Sequence, residues 1–287
     1  MGWMGDGRMG DGLDGRRAGW ATGWMDDGRM CHAPGMRIET IPLLRDNYAW
    51  LLCDDAAGHC AVVDPSESEP VAERVRVEGL QLAAILATHH HPDHVGGISG
   101  LQKEFGTLPV FCSQYDAARV PAASNLVADG QSIDVVGTRA ECLLVPGHTL
   151  GAVAYYFAGA AALFTGDTLF TGGCGRLFEG TPAQMLGSLK RLARLPGETR
   201  VYCGHEYTEK NLRFAAAVDP NNPAVDERLE RVRAARANAQ PTVPAALHEE
   251  WATNPFLRAG EPALQNLAPG GSEEDVFAEL RKRRDRF

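Results

Sequence analysis

No stretch of this chain approaches the roughly 20 consecutive apolar residues that a membrane-spanning helix requires. No apolar h-region opens it either, so neither a bilayer span nor a secretory leader is expected. Positive charge is scarce: 28 Lys and Arg stand against 37 Asp and Glu, a formal charge of −9. That balance argues against general nucleic-acid affinity and against an RNA-processing nuclease with a broad basic exosite. Cysteine lacks any pairing pattern, with seven residues and no CxxC spacing. Cys53, Cys60, Cys112, Cys142 and Cys203 lie in or beside strand-like runs and read as small buried hydrophobes of a reduced, cytoplasmic protein. Cys174, in a glycine loop, is the thiol to watch, with a structural role as the default. At 287 residues, 44% of them hydrophobic, the chain can bury a substantial core in one or two domains.

Residues 1–35 repeat a Gly-, Asp- and Met-biased string (Gly2-Trp3-Met4-Gly5-Asp6 and Gly23-Trp24-Met25-Asp26) without helical or strand period. They are expected to be a disordered, dispensable extension, and their Asp residues oppose a transit peptide. Strand alternation begins at once from Met36.

The richest chemistry lies in Thr88-His89-His90-His91-Pro92-Asp93-His94, directly after the apolar run Leu82–Ala87. In an extended backbone His89 and His91 share a face while His90 points away. Pro92 stops the strand, and Asp93 and His94 then face a different direction, where they could serve a second ion. Three more candidates recur in the same context, each after a predicted strand and beside a glycine: His148 in Pro146-Gly147-His148, Asp167 in Thr165-Gly166-Asp167, and His205 in Cys203-Gly204-His205. A merely polar, histidine-rich loop would not explain that recurrence. Imidazole and carboxylate donors suit zinc, iron or manganese. Two such ions sharing a water would lower its pKa to about 7 and supply hydroxide as the nucleophile, so no serine or cysteine is needed.

Strands are predicted near 37–42, 48–53, 60–64, 82–87, 108–112, 141–145, 153–157, 161–165 and 200–203, with helices near 68–78 and 94–105. Thr181-Pro182-Ala183-Gln184 has the form of a helix start. Beyond His205 only helices are predicted, near 206–218, 223–238, 244–251 and 273–284, the last capped by Ser272. The expected organisation is therefore α+β: residues 36–205 form a mixed domain, and residues 206–287 a small helical one.

These ligand motifs resemble the metallo-β-lactamase superfamily, which implies a four-layered αββα sandwich with metals at one sheet edge. Carried over by motif, His89, His91 and His148 would hold one metal, Asp93, His94 and His205 the second, and Asp167 would bridge them. Asp93 and Asp167 would be the catalytic carboxylates. The cofactors implied are two zinc ions, with iron or manganese compatible. Outside the ligands, Leu43-Leu44-Arg45-Asp46-Asn47-Tyr48, Gly172–Thr181, Cys203–Thr208, Asn254-Pro255-Phe256-Leu257-Arg258 and the basic run Arg281–Phe287 resemble the hydroxyacylglutathione hydrolase (glyoxalase II) family. That resemblance implies hydrolysis of S-D-lactoylglutathione to glutathione and D-lactate, the second step of methylglyoxal detoxification. The partner is then a small glutathione thioester bound by a monomer. Arg176, Tyr207, Arg281 and Arg284 match glutathione-contacting positions, and cationic forks suit the two carboxylates of glutathione. Phe178 stands where many relatives have Tyr and cannot donate that hydrogen bond. Lys282, Arg283 and Arg286 read as an exposed helix end. Asp64 is either an acceptor behind a ligand histidine or a turn residue, and His59 and His248 are expected to face solvent. The rivals are a single-iron glutathione persulfide dioxygenase, a lactonase, and a metal-stabilised binding protein, for which a closed four-ligand site would be expected.

Overall fold

The computed structural model describes residues 1–2 and 36–287. The disorder expected of the N-terminal extension therefore concerns residues that lie, but for the first two, outside those described. Among the described residues no helix is long and apolar enough to cross a membrane.

Strand alternation decides the layering. The first sheet has the order β1 (Arg37–Leu43), β2 (Asn47–Asp54), β3 (His59–Val63), β4 (Gln81–Leu86), β5 (Val110–Ser113), β6 (Asn125–Val127), antiparallel to β3 and parallel thereafter. In β2, Tyr48, Trp50 and Leu52 enter one core while Ala49, Leu51 and Cys53 enter another, as a side-chain period of two requires. Because both faces are covered, such strands read in the sequence as unbroken apolar runs. The second sheet holds β7 (Ser132–Val135), β8 (Thr138–Leu144), β9 (Val153–Phe157) and β10 (Ala162–Gly166). After a short hairpin of β11 (Leu169–Phe170) and β12 (Gly173–Cys174), it continues with β13 (Arg200–Cys203) and β14 (Ala245–Ala246).

Three apolar cores separate four layers. Tyr155, Phe157 and Phe164 of the second sheet meet Trp50 and Leu52 of the first in the central core. On the first sheet's outer face lies α1 (Ser68–Glu78), through Val71 and Val75, together with Ile98 and Leu101. On the second sheet's outer face Leu143, Leu163 and Val201 pack against Met185 and Leu189 of α4 (Pro182–Leu192) and Phe277 of α8 (Glu273–Arg286). The third core also takes Phe214 of α5 (Thr208–Val218) and Phe256, which follows α7 (Leu247–Thr253). The order is helix, sheet, sheet, helix.

Several boundaries depart from the sequence expectation. The helix predicted over 94–105 is two helices, α2 (Pro92–Val95) and α3 (Ile98–Phe105). Gly96 and Gly97 lie between them, pressed on neighbouring backbone: a Cβ on Gly96 would lie 2.7 Å from Ser66 O, and one on Gly97 2.6 Å from Glu67 C. The helix predicted from 244 starts at Leu247, because Ala245 and Ala246 pair with Val201 and Arg200. Strands β6, β7, β11 and β12 are two to four residues long, too short for a periodic signal. The two predicted caps are made: Thr181 and Gln184 bond reciprocally at the start of α4, and Ser272 and Asp275 at the start of α8. Between α5 and α7 runs α6 (Pro223–Ala237).

Candidate metal centre

All seven candidate ligands lie at one edge of the sandwich, just beyond the C-terminal ends of β4, β8, β10 and β13. Parallel pairing of β10 with β13 puts Asp167 and His205 at the same end. Two backbone bonds across the sheets close the edge: Val153 N donates to Thr88 O at 2.9 Å and Tyr48 N to Gly204 O at 2.8 Å. Pro92 opens α2, so Asp93 and His94 sit on a helical turn aimed differently from His89 and His91.

The donor atoms form two groups around one carboxylate. His91 Nδ1 lies 3.1 Å from His89 Nε2 and 3.0 Å from His148 Nε2. Asp93 Oδ2 lies 3.4 Å from His205 Nε2 and 3.8 Å from His94 Nε2. Asp167 reaches both groups, with Oδ1 3.3 Å from His94 Nε2 and Oδ2 3.5 and 3.4 Å from His148 Nε2 and His205 Nε2. The sets His89/His91/His148, His89/His94/Asp167 and Asp93/His94/His205 each fall within 4.8 Å, a spacing that could hold a metal ion.

The electrostatics fit a cation. Burial, then His94, holds the His89 pKa well below its usual value, and burial likewise lowers His91 and His148. A lowered pKa favours the neutral ring, the form of imidazole that can offer a nitrogen to a cation. Burial opposes ionisation of Asp167, yet His94 and His205 hold its carboxyl well below the ordinary range. His94 Nε2 and Asp167 Oδ1 are buried without a hydrogen-bond partner, an arrangement that is costly unless something else satisfies it. Nitrogen and oxygen donors without thiolate suit zinc, iron or manganese.

The outward-facing ring nitrogens are also engaged, which fixes tautomer and aim. His94 Nδ1 meets Asp64 Oδ2 at 3.0 Å, His205 Nδ1 meets Asp46 Oδ1 at 3.0 Å, His148 Nδ1 meets Arg176 O at 2.7 Å, and His89 Nδ1 meets Thr88 Oγ1 at 3.1 Å. Asp64, left open between turn and acceptor by the sequence, is both. It has a left-handed φ of 53°, and it accepts Thr88 N at 2.8 Å and Thr88 Oγ1 at 2.7 Å besides His94. Asp46 and Asn47 were not singled out from the sequence. Asn47 Nδ2 donates to Asp93 O at 3.0 Å and to Asp93 Oδ2 at 3.2 Å, and the signal that contained both residues is the Leu43–Tyr48 string that carries the family resemblance. His90 points away from the donors, as expected, toward Asp116 Oδ2 at 3.0 Å. His59 and His248 are exposed. Gly175 and Gly204 are required by close approach: a Cβ would lie 1.8 Å from Asp167 O in the first case and 2.5 Å from His94 Cε1 in the second.

The five expected substrate contacts occupy different settings. Phe178, 60% exposed, stands edge-on to His91 and His148 with centroids 5.5 and 5.2 Å away. The Arg176 guanidinium lies 5.9 Å from its ring and Arg176 Nε is 3.3 Å from Asp285. Tyr207 stacks on His205 at 4.7 Å, with burial and Asp46 holding its phenol protonated above the usual value. Arg284 spends Nε and Nη2 on Asn211 Oδ1 at 3.3 and 3.0 Å. Arg281 is 7% exposed. Its Nη1 donates to Cys174 O at 2.8 Å and its Nη2 to Asp285 at 3.0 Å. It thus ties α8 to β12.

Comparison with known proteins gives a consistent picture. The model of the metallo-beta-lactamase superfamily matches residues 44–205, and that described as hydroxyacylglutathione hydrolase C-terminus matches residues 206–287. A hydroxyacylglutathione hydrolase from Synechococcus sp. is 50% identical over 258 residues, covering 88% of this chain and all of the relative. One from Ectopseudomonas mendocina is 48% identical over 259 residues with the same coverage. Among solved structures, ETHE1 from Myxococcus xanthus superposes with a TM-score of 0.61 at 25% identity, covering 86% of this chain and 90% of that one. TTHA1623, solved in a di-iron-bound form, gives 0.55 at 28% identity, covering 77% and 99%. Near-half identity along the whole length of these relatives, with both halves matched in order, means that the chain belongs to the hydroxyacylglutathione hydrolase family of the metallo-β-lactamase superfamily.

Proposed function

We propose that this hydrolase cleaves the thioester of S-D-lactoylglutathione to glutathione and D-lactate. In this reading His89, His91 and His148 hold one divalent cation, Asp93, His94 and His205 a second, and Asp167 serves both; zinc is the default identity. Residues 36–205 carry the metals, and residues 206–287 supply much of the glutathione site. The observation that carries the reading is the convergence of seven nitrogen and oxygen donors into two adjacent groups around one buried carboxylate. The di-iron form of TTHA1623, a related fold, supports two ions rather than one. The chemistry such ions supply when bound is Lewis acidity and a water whose pKa falls to about 7.

The chain's own residues then do the positioning. Asp93, whose side chain is 41% exposed and is steadied by Asn47, orients the attacking water. Water oxygen bonds to the carbonyl carbon as one of its O–H bonds breaks, the C–S bond breaks, and the leaving sulfur takes up that proton to become the glutathione thiol. Phe178 packs against the sulfur side of the substrate. Tyr207, Arg176 and Arg284 face the peptide portion, where guanidinium forks match carboxylates, and Arg281 holds the Cys174-Gly175 loop beneath them. Thiol release from S-D-lactoylglutathione, measured on a preparation analysed for metal content, tests this. A protein loaded with two metals that releases no thiol would refute it. One iron per chain with oxygen uptake would instead favour the persulfide dioxygenase reading.

A further inference from the structure

His90, the one histidine of the 89–94 run that turns away from the donors, ends in a charged cluster assembled from separate loops. Its Nδ1 lies 3.0 Å from Asp116 Oδ2 and its Nε2 lies 3.7 Å from Glu179 Oε1. Arg119 joins the two carboxylates, donating from Nη2 to Asp116 Oδ1 at 2.7 Å and from Nη1 to Glu179 Oε1 at 2.6 Å. Glu179 Oε2 accepts the Leu150 amide at 2.8 Å. The amides of Phe178 and Glu179 both donate to His148 O, at 3.2 and 3.3 Å. Asp116 is 1% exposed and so close to Gly151 that a Cβ there would lie 2.2 Å from Oδ1. A carboxylate buried this deeply is costly unless it is paired and hydrogen-bonded. Its partners are Arg119 and His90, and through Arg119 it reaches the residue next to Phe178.

Phe178 needs such support. The residue is 60% exposed, and its ring stands edge-on to His91 and His148 rather than in a core, with no polar atom to fix it.

We infer that Arg119, braced by Asp116 and His90, is a positioning residue for substrate: it pins Glu179 and thereby sets Phe178 as the wall against which the thioester lies. All three act through Glu179 and Phe178, and the inference rests on the hydrolase reading above. A wall in place before substrate arrives improves binding of the ground and transition states alike, so its loss raises KM more than it lowers kcat.

The test is steady-state hydrolysis of S-D-lactoylglutathione by the full chain, with elemental analysis of every variant. Arg119→Ala is expected to raise KM about five-fold and to change kcat by less than about two-fold, the range of a partly exposed ion pair. Metal content should equal that of the unmodified protein, and Arg119→Lys should recover most of the loss. Phe178→Ala should raise KM by itself, and adding Arg119→Ala to it should change KM little further, because residues acting as one unit are not additive. The inference is overturned if the two substitutions multiply, if Arg119→Ala leaves KM unaltered, or if it lowers kcat and metal content together. The last result would assign the cluster to the metal loop through His90. An unmodified protein that fails to hydrolyse the thioester sinks the hydrolase reading itself, a separate outcome from an active enzyme indifferent to Arg119.

Discussion

Asp64→Asn separates what holds the metal centre from what lines it. The Asp64 carboxylate is 1% exposed and accepts three hydrogen bonds, from Thr88 N, Thr88 Oγ1 and His94 Nδ1. An asparagine of the same shape can keep Oδ1 on the Thr88 amide, and its NH2 can face Thr88 Oγ1, since a hydroxyl reverses its role. His94 cannot adapt so cheaply. Its Nδ1–H would meet an N–H donor, and turning the tautomer over would put a proton on Nε2, the atom that faces Asp167 and Asp93. One charge-assisted hydrogen bond, about 1.5–3 kcal/mol, is therefore lost in the loaded state. At 1.4 kcal/mol per decade that is roughly 10–100-fold in metal affinity, the range found when acceptors behind ligand histidines are removed. Only the group that includes His94 should weaken, so a competitive chelator titration is expected to show one site per chain shifted and the other unchanged. Thiol release should recover when metal is added in excess. Unchanged affinity at both sites would show that His94 needs no acceptor, and the argument from Asp64 would be wrong.

Further outcomes test the scaffold. Arg228 and Glu250 form a buried pair at 2.5 Å, and Glu250 Oε2 also accepts the Gly172 amide of the β11–β12 hairpin at 2.7 Å. Glu250→Gln leaves Arg228 uncompensated, so thermal denaturation should show a loss of about 3 kcal/mol, or roughly 6–12 °C; an unaltered Tm would contradict this. Gly175→Ala places a Cβ 1.8 Å from Asp167 O, so elemental analysis should find metal lost even where circular dichroism stays native. The thiols of Cys53, Cys60, Cys142 and Cys203 are pushed up to about 12 by burial, and those of Cys112 and Cys174 to about 11. Because the thiolate is the nucleophile, none of the six should alkylate readily at pH 8 until denaturant is added. Rapid native labelling of Cys174, mapped by mass spectrometry, would contradict its burial.

Local chemistry survives in a sequence and long-range packing does not, and this centre shows where the line runs. The candidate ligands, whose donor atoms the fold brings together, were legible because each sits in a short string after an apolar strand, with a glycine or proline beside it to shape the turn. The spacing of His89 and His91 alone shows that they share a face. The partners of the outer ring nitrogens were less legible: Asp46 lies 159 residues from His205, and although it falls in the Leu43–Tyr48 string that carries the resemblance, nothing in that string pairs it with a histidine. The α2–α3 break was hidden for a related reason. Gly96 and Gly97 read as tolerable within one helix until the Ser66–Glu67 backbone is known to lie against them. The basic run at the end of α8 shows the limit most clearly. Arg281 and Arg284 are three residues apart, so helical spacing groups them as one binding face. Burial divides them: Arg281 packs over Phe256 with its guanidinium 5.1 Å from the ring and serves the β12 loop, while Arg284 stays partly open. Periodicity reports direction from a helix axis, but it carries no information about how deep the next element lies along that direction. Depth is what sets Arg281 against the β12 loop and leaves Arg284 partly open at the surface.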